Sequence, residues 1–118
     1  MELNAKYKKL YRETAREYLH SMRENISLLS QDPQKGELKK AIYMAAHSLA
    51  GQSAVAGYPN IARVSSLIEG IFKAETEDSV VDEISSAIDK LLLSVDEIEK
   101  HDREMDLGEE IEKLEEEV

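Results

Sequence analysis

Apolar residues recur every three to four positions along most of the chain, which is the spacing of one face of an α-helix. No segment shows the alternation of apolar and polar residues that is typical of a β-strand. The pattern therefore predicts an all-α protein with four main helices. Their apolar stripes consist of Tyr11, Ala15, Tyr18, Met22, Ile26 and Leu29; Leu38, Ile42, Ala45, Leu49, Ser53 and Ala56; Ile61, Val64, Ile68 and Ile71; and Val80, Ile84, Ile88, Leu91, Val95 and Ile98.

Turn-forming residues separate the four stripes. The segment SQDPQKGE ends the first helix, and Gly57 ends the second. Pro59 suits the first turn of the third helix, where its missing N–H would have no partner. Asp78 or Ser79 is the predicted N-cap of the fourth helix. Short connections of this kind favour antiparallel neighbours.

The predicted architecture is an antiparallel up-down four-helix bundle over residues 1–104, followed by an acidic helix or the start of a linker over residues 105–118. The last segment has apolar residues at helical spacing, and its other face is nearly all glutamate. Charge runs usually form solvated faces, so a helix lying on the bundle is favoured over a linker or a partner-binding helix. Its apolar stripe consists of Leu107, Ile111, Leu114 and Val118.

Composition excludes several classes of protein. The 118 residues fit one domain, and a net charge of −10 argues against a nucleic-acid partner, which would require a basic face. The absence of cysteine rules out disulfides and thiolate metal sites and fits a reducing compartment. No apolar run has the length of a signal peptide core or a membrane span, so a cytoplasmic protein without a membrane partner is predicted.

One histidine, His47, lies in an unusual local setting. Residues 38–72 carry three bases and one acid, so this window is slightly basic within an acidic chain. On a helix, His47 points roughly opposite the apolar stripe and therefore faces solvent or a partner. Gly51 lies one turn further, where glycine costs about 1 kcal/mol relative to alanine. This glycine either leaves room for a partner at the imidazole or permits close packing of two helices.

The remaining sequence offers no further reactive constellation. His20 and His101 are predicted to be surface residues, and no two histidines have the helical spacing of a metal site. There is no nucleophile elbow, phosphate-binding loop or glycine-rich dinucleotide turn. The prediction is a domain that binds no metal and no cofactor of its own.

The segment AAHSLAGQSAVAGYPNIARVSSLIE resembles the core of the histidine-containing phosphotransfer (HPt) family, and in particular the phosphotransfer domains of chemotaxis histidine kinases. The resemblance extends over roughly residues 10–100. It implies a helical bundle with the histidine exposed on the second helix, which agrees with the apolar pattern. The matching motif positions are Ala46, His47, Ser48, Leu49, Gly51, Ser53, Gly57 and Tyr58.

The resemblance implies a phosphoryl carrier that is not an enzyme on its own. His47 would accept a phosphoryl group from a histidine kinase catalytic domain and pass it to the aspartate of a response-regulator receiver domain. Glu69 follows the histidine by 22 residues and would orient and activate the imidazole. ATP and Mg²⁺ would come from the partner domains, and the unit would be monomeric. The sequence is compatible both with a whole protein and with one domain of a longer kinase.

Ala50 departs from the family motif, which has a lysine beside the phosphoryl group at this position. Lys73, one helical turn beyond Glu69, is the candidate neighbour of the phosphate in its place. Alternatively, phosphotransfer is weakened or lost, which leaves an adaptor that docks a kinase or a receiver. A structural bundle in which the histidine is incidental is the third hypothesis. The predicted partner-binding surface consists of Tyr43, Ala46, Ala50, Gly51, Ala54, Ala62 and Ser66.

Overall fold

The computed structural model describes residues 2–74 and 80–117 of the chain. Within these residues all regular structure is helical and no strand is present, which confirms the all-α prediction. The predicted N-cap residues Asp78 and Ser79, and the apolar Val118, lie outside the described residues. The helices are α1 (Glu2–Gln31), α2 (Gly36–Ala56), α3 (Pro59–Lys73), α4 (Val81–His101) and α5 (Gly108–Glu115).

The first four helices pack side by side as an up-down bundle. α1 has 30 residues, which corresponds to about 45 Å at 1.5 Å per residue, and it matches the 47 Å long axis of the molecule. α2 packs between α1 and α3, and α4 closes the bundle against α1. Lys8 near the start of α1 pairs with Asp102, whereas Arg16 further along pairs with Asp96, so α1 and α4 run antiparallel.

The apolar stripes meet in one continuous core. Every residue of the third and fourth predicted stripes is buried. On α1 and α2 the buried face is shifted by one position in two places. Leu19 is fully buried while Tyr18 is half-buried, and Ala46 is fully buried while Ala45 is half-buried. Each pair consists of adjacent apolar residues, so the pattern alone did not fix which member points inwards.

A tight turn joins α2 to α3. Gly57 has φ 89°, in the left-handed region that favours glycine, and it ends α2 as predicted. Tyr58 donates its backbone N–H to the carbonyl of Ser53 at 2.9 Å, which satisfies one of the free carbonyls at the end of α2. Pro59 is the first residue of α3, as predicted. The two helices are therefore joined without a flexible linker.

A buried hydroxyl pair joins α1 to α2. Tyr11 Oη and Ser53 Oγ are 2.7 Å apart, and the ring of Tyr58 packs beside that of Tyr11 with 5.1 Å between centroids. Burial raises the pKa of Tyr11 to about 12, so its hydroxyl stays protonated near neutral pH. The pair fixes the position of α2 against α1 without placing a charge in the core.

The segment after α4 is anchored to the bundle. Glu104 accepts hydrogen bonds from the backbone N–H groups of Asn60 and Ile61, at 3.0 and 2.9 Å, and so caps the start of α3. Leu107 and Leu114 are buried in the common core, and most glutamates of α5 are exposed. α5 therefore lies on the bundle with a solvated acidic face. The division of the chain after residue 104 stays a prediction.

Charged side chains line the edge between α1 and α4, which we call the ionic seam. Arg16 lies 2.9 Å from Asp96 and 3.1 Å from Glu99. Its hydrogen bonds to these two carboxylates raise the pKa of the guanidinium. The side chains are partly exposed, so each pair contributes at most about 1 kcal/mol to stability. The other pairs of the seam are Lys8–Asp102, Arg12–Glu99 and Arg23–Asp89.

Candidate functional site

α2 holds His47 on its outer face. The buried face of this helix, which includes Leu49 and Ser53, packs into the core. His47 lies on the other side, and its side chain is 72% exposed. This placement agrees with the prediction from the apolar stripe. An imidazole in this position is open to a partner molecule over most of its surface.

α3 brings Glu69 to the same site. The carboxylate Oε2 of Glu69 lies 2.8 Å from Nδ1 of His47, so the expected contact between these two residues is present. Glu69 is only 21% exposed, and its position is set by the tight turn between α2 and α3. An ionised carboxylate can only accept, so Nδ1 carries the proton of this hydrogen bond. The neutral imidazole then has its free lone pair on Nε2.

Gly51 leaves open space one turn from His47. A Cβ atom built at this position would meet no atom within 4 Å among the described residues. The alternative that Gly51 permits close packing of two helices is therefore wrong. The space at this position is consistent with the other explanation, which is room for a partner beside the imidazole.

The residues predicted to form the partner-binding surface are in different environments. Ala46 is fully buried on the core side of α2, so the prediction that it belongs to the partner-binding surface is wrong. It lies about 100° from His47 around the helix, which is far enough to turn it inwards. For the other six residues, a role in partner binding stays a prediction. Gly51, Ala54 and Ser66 are exposed, and Tyr43, Ala50 and Ala62 are half-buried.

A shallow groove lies beside His47, on the side of α2 that faces α1. Its volume is about 530 Å³, and we call it the α1–α2 groove. Ser48 and Gln52 could have been identified from their positions on the helix, whereas Tyr7 depends on how α1 and α2 align and has no signal in the sequence. The groove is lined by Tyr7, His47, Ser48, Gly51, Gln52 and Val55.

The chain also matches a known family. A family model described as "Hpt domain" matches residues 6–117. The chain belongs to the Hpt domain family. Because the match includes α5, the family assignment covers nearly every residue that the structure describes.

Curated relatives of this Hpt domain are much longer proteins. It is 34% identical over 74 residues to "Chemotaxis protein CheA" of Bacillus subtilis strain 168, which covers 63% of this chain and 11% of that protein. It is 32% identical over 62 residues to "Chemotaxis protein CheA" of Listeria monocytogenes serovar 1/2a, which covers 52% of this chain and 10% of that protein. The chain thus spans about a tenth of the relatives that it matches. No solved structure matches it significantly.

Lys73 is the last residue of α3 in this Hpt domain, one turn after Glu69, and it is exposed. Its predicted role beside a phosphate stays a prediction. In the described part of the chain, no group of three or more His, Cys, Asp or Glu residues could hold a metal ion. Over the same residues, no helix is long and apolar enough to cross a membrane.

Proposed function

We propose that His47 accepts a phosphoryl group from a histidine kinase catalytic domain and passes it to an aspartate of a response-regulator receiver domain. Membership of the Hpt family supports this function. The observation that carries the assignment to His47 is its hydrogen bond to Glu69, which occupies Nδ1 and leaves the lone pair of Nε2 free on an exposed ring.

The reaction follows from this tautomer. The lone pair of Nε2 attacks the γ-phosphorus of ATP, an N–P bond forms, and the bond between the β,γ-bridging oxygen and the γ-phosphorus breaks to release ADP. The ring then carries a positive charge with the proton still on Nδ1, and the carboxylate of Glu69 stabilises that charge. In the second step a receiver carboxylate attacks phosphorus, and the N–P electron pair returns to Nε2. No proton has to leave the site in either step.

In this proposal the domain is a carrier and a substrate, and the partners perform the catalysis. ATP and Mg²⁺ are held by the kinase, because positioning and charge neutralisation are the main requirements of phosphoryl transfer. The names of the relatives support a chemotaxis-type relay. We further propose that the unit is monomeric, works in the cytoplasm, and binds neither nucleic acid nor a membrane.

The test is phosphorylation of the purified chain by a chemotaxis-type kinase domain with radiolabelled ATP and Mg²⁺. We expect an acid-labile label on the wild type and none on His47→Gln. Glu69→Gln keeps an acceptor but loses the charge, and a hydrogen bond to a charged group is worth about 1.5–3 kcal/mol. Labelling of Glu69→Gln should therefore be about 10- to 100-fold slower. His101→Gln is the matched control, because His101 is also an exposed histidine beside a glutamate.

Two outcomes would contradict the proposal. Equal labelling of the wild type and His47→Gln would assign the phosphate to another residue. No label on the wild type, from a cognate kinase that phosphorylates a control domain, would support the docking adaptor. Ala50 would then be the first residue to change, because it stands where the family motif has a lysine.

A further inference from the structure

The α1–α2 groove is free of acidic side chains among the described residues that line it. This is unusual for a chain that carries 25 acids and 15 bases. An anionic group in the groove would therefore meet no carboxylate as an immediate neighbour. Repulsion from more distant acids is weaker, since the groove is open to water and to salt.

The reactive nitrogen of His47 points away from α3. Glu69 holds Nδ1 from the α3 side, and the two ring nitrogens of an imidazole are directed away from each other. The groove lies on the α1 side of His47, because Tyr7 of α1 lines it together with residues of α2. A group attached to Nε2 is therefore directed towards the groove and the solvent above it.

The groove offers three neutral hydrogen-bond donors and free space. Tyr7 and Ser48 contribute hydroxyl groups. Gln52 contributes an amide whose nitrogen has two N–H groups, of which the bond to Tyr18 at 3.3 Å uses one. Gly51 adds no side chain that would fill the space between these donors and His47.

We propose that the α1–α2 groove holds the phosphoryl group on His47, with Tyr7, Ser48 and Gln52 as neutral donors to its oxygens. This inference rests on the proposed function, since it concerns the phosphorylated state of the same histidine. It also explains how the site works with Ala50 at the position of the motif lysine. Hydroxyl and amide groups take the place of a cation, so the phosphorylated state should depend only weakly on salt concentration.

The test uses phosphoramidate, a small-molecule phosphoryl donor, so that no partner protein is required. Because the donor also reacts with exposed histidines, His20→Gln and His101→Gln are present in every sample, and His47 is the one histidine left. This chain, which serves as the wild type here, is phosphorylated alongside its Tyr7→Phe and Gln52→Leu variants, with Gln31→Leu at the exposed end of α1 as the matched control. After the donor has been removed, ³¹P NMR gives the chemical shift and the half-life of phosphohistidine at neutral pH. Thermal unfolding tests whether each variant is folded, and Tyr7→Phe removes only the hydroxyl group of an exposed residue.

We expect the half-life to fall about 2- to 10-fold in Tyr7→Phe and in Gln52→Leu, which is the range for loss of one neutral hydrogen bond. The ³¹P shift should move in both variants and stay unchanged in Gln31→Leu. Shifts and half-lives equal to those of the wild type in both groove variants would overturn the inference. So would a wild-type chain that forms no phosphohistidine while free imidazole reacts. The two proposals can fail separately. If a kinase does not label the chain but Tyr7→Phe and Gln52→Leu still shorten the half-life of phosphohistidine made with phosphoramidate, only the proposed function is overturned.

Discussion

The ionic seam and the outer face of α2, which we call the His47 face, lie on different sides of one small bundle. The two surfaces use charge in different ways. Along the seam, basic residues of α1 pair repeatedly with acidic residues of α4 and of the position that directly follows it. Among the described residues, Glu69 is the one charged side chain that contacts His47, through a hydrogen bond to the imidazole, and the neighbouring residues on α2 are small or neutral. The seam aligns two helices, whereas the His47 face leaves one imidazole under the influence of one carboxylate.

The difference shows how a strongly charged chain keeps a reactive histidine accessible. Each exposed ion pair on the seam contributes little to the free energy of unfolding. The pairs are also redundant, so the loss of one leaves the others in place. The His47 face has no such redundancy, because its single carboxylate determines which nitrogen is free to react. Stability and reactivity are thus placed on separate surfaces, and changes to one should leave the other largely intact.

The largest effect is expected beneath the His47 face, at Ala46. Ala46→Leu adds three carbon atoms to a position with no exposed surface, and overpacking of this kind costs about 1–3 kcal/mol. Ala54→Leu places the same side chain on the exposed side of α2 and should cost much less. Urea unfolding of both variants measures the difference. Equal free energies of unfolding would mean that Ala46 belongs to the surface after all.

A smaller effect of opposite sign is expected at Gly51. Gly51→Ala should raise the free energy of unfolding by about 1 kcal/mol, because alanine favours the helix and the added methyl group meets nothing. The same methyl group should slow kinase labelling of His47 by narrowing access to Nε2. Thermal unfolding and labelling rates on the same sample test both parts, and faster labelling would argue against access as the reason for this glycine.

The smallest effect is expected on the seam. Arg16→Gln should lower the free energy of unfolding by about 0.5–1 kcal/mol in low salt, with a smaller loss in 1 M NaCl where charges are screened. Labelling of His47 should not change. Arg103→Gln, at an exposed arginine outside the seam, is the control for the change in net charge. A slower transfer to Arg16→Gln would show that the two surfaces are coupled.

Periodicity predicted most of the fold because four amphipathic helices can bury their stripes in few ways. Gly57 and Pro59 also fixed the turn between α2 and α3, since each residue has a narrow conformational range. The exposure of His47 followed from its angle to the stripe. The choice between Ala45 and Ala46 did not follow, because two adjacent alanines are equally apolar and only the packing of the folded bundle decides which one is buried.

Long-range contacts could not be predicted from the pattern. Glu104 caps the start of α3 from the segment that follows α4 along the chain. It is one of many acids in the last part of the sequence, so nothing in the pattern singles it out. Tyr7 reaches the α1–α2 groove only because α1 begins at Glu2, well before the first predicted stripe. Contact between His47 and Glu69 could be predicted only through the resemblance to the family, which implies a glutamate at this separation from the histidine.

The tight turn at Gly57 also bears on how much chain entropy is lost when the molecule assembles. His47 and Glu69 are 22 residues apart and belong to one helical hairpin, whereas Lys8 and Asp102 of the seam are 94 residues apart. Closing the longer loop costs about 1.3 kcal/mol more in chain entropy. The reacting pair therefore rests on contacts within one helical hairpin, whose loop costs less chain entropy to close than the loop that joins the first and last helices.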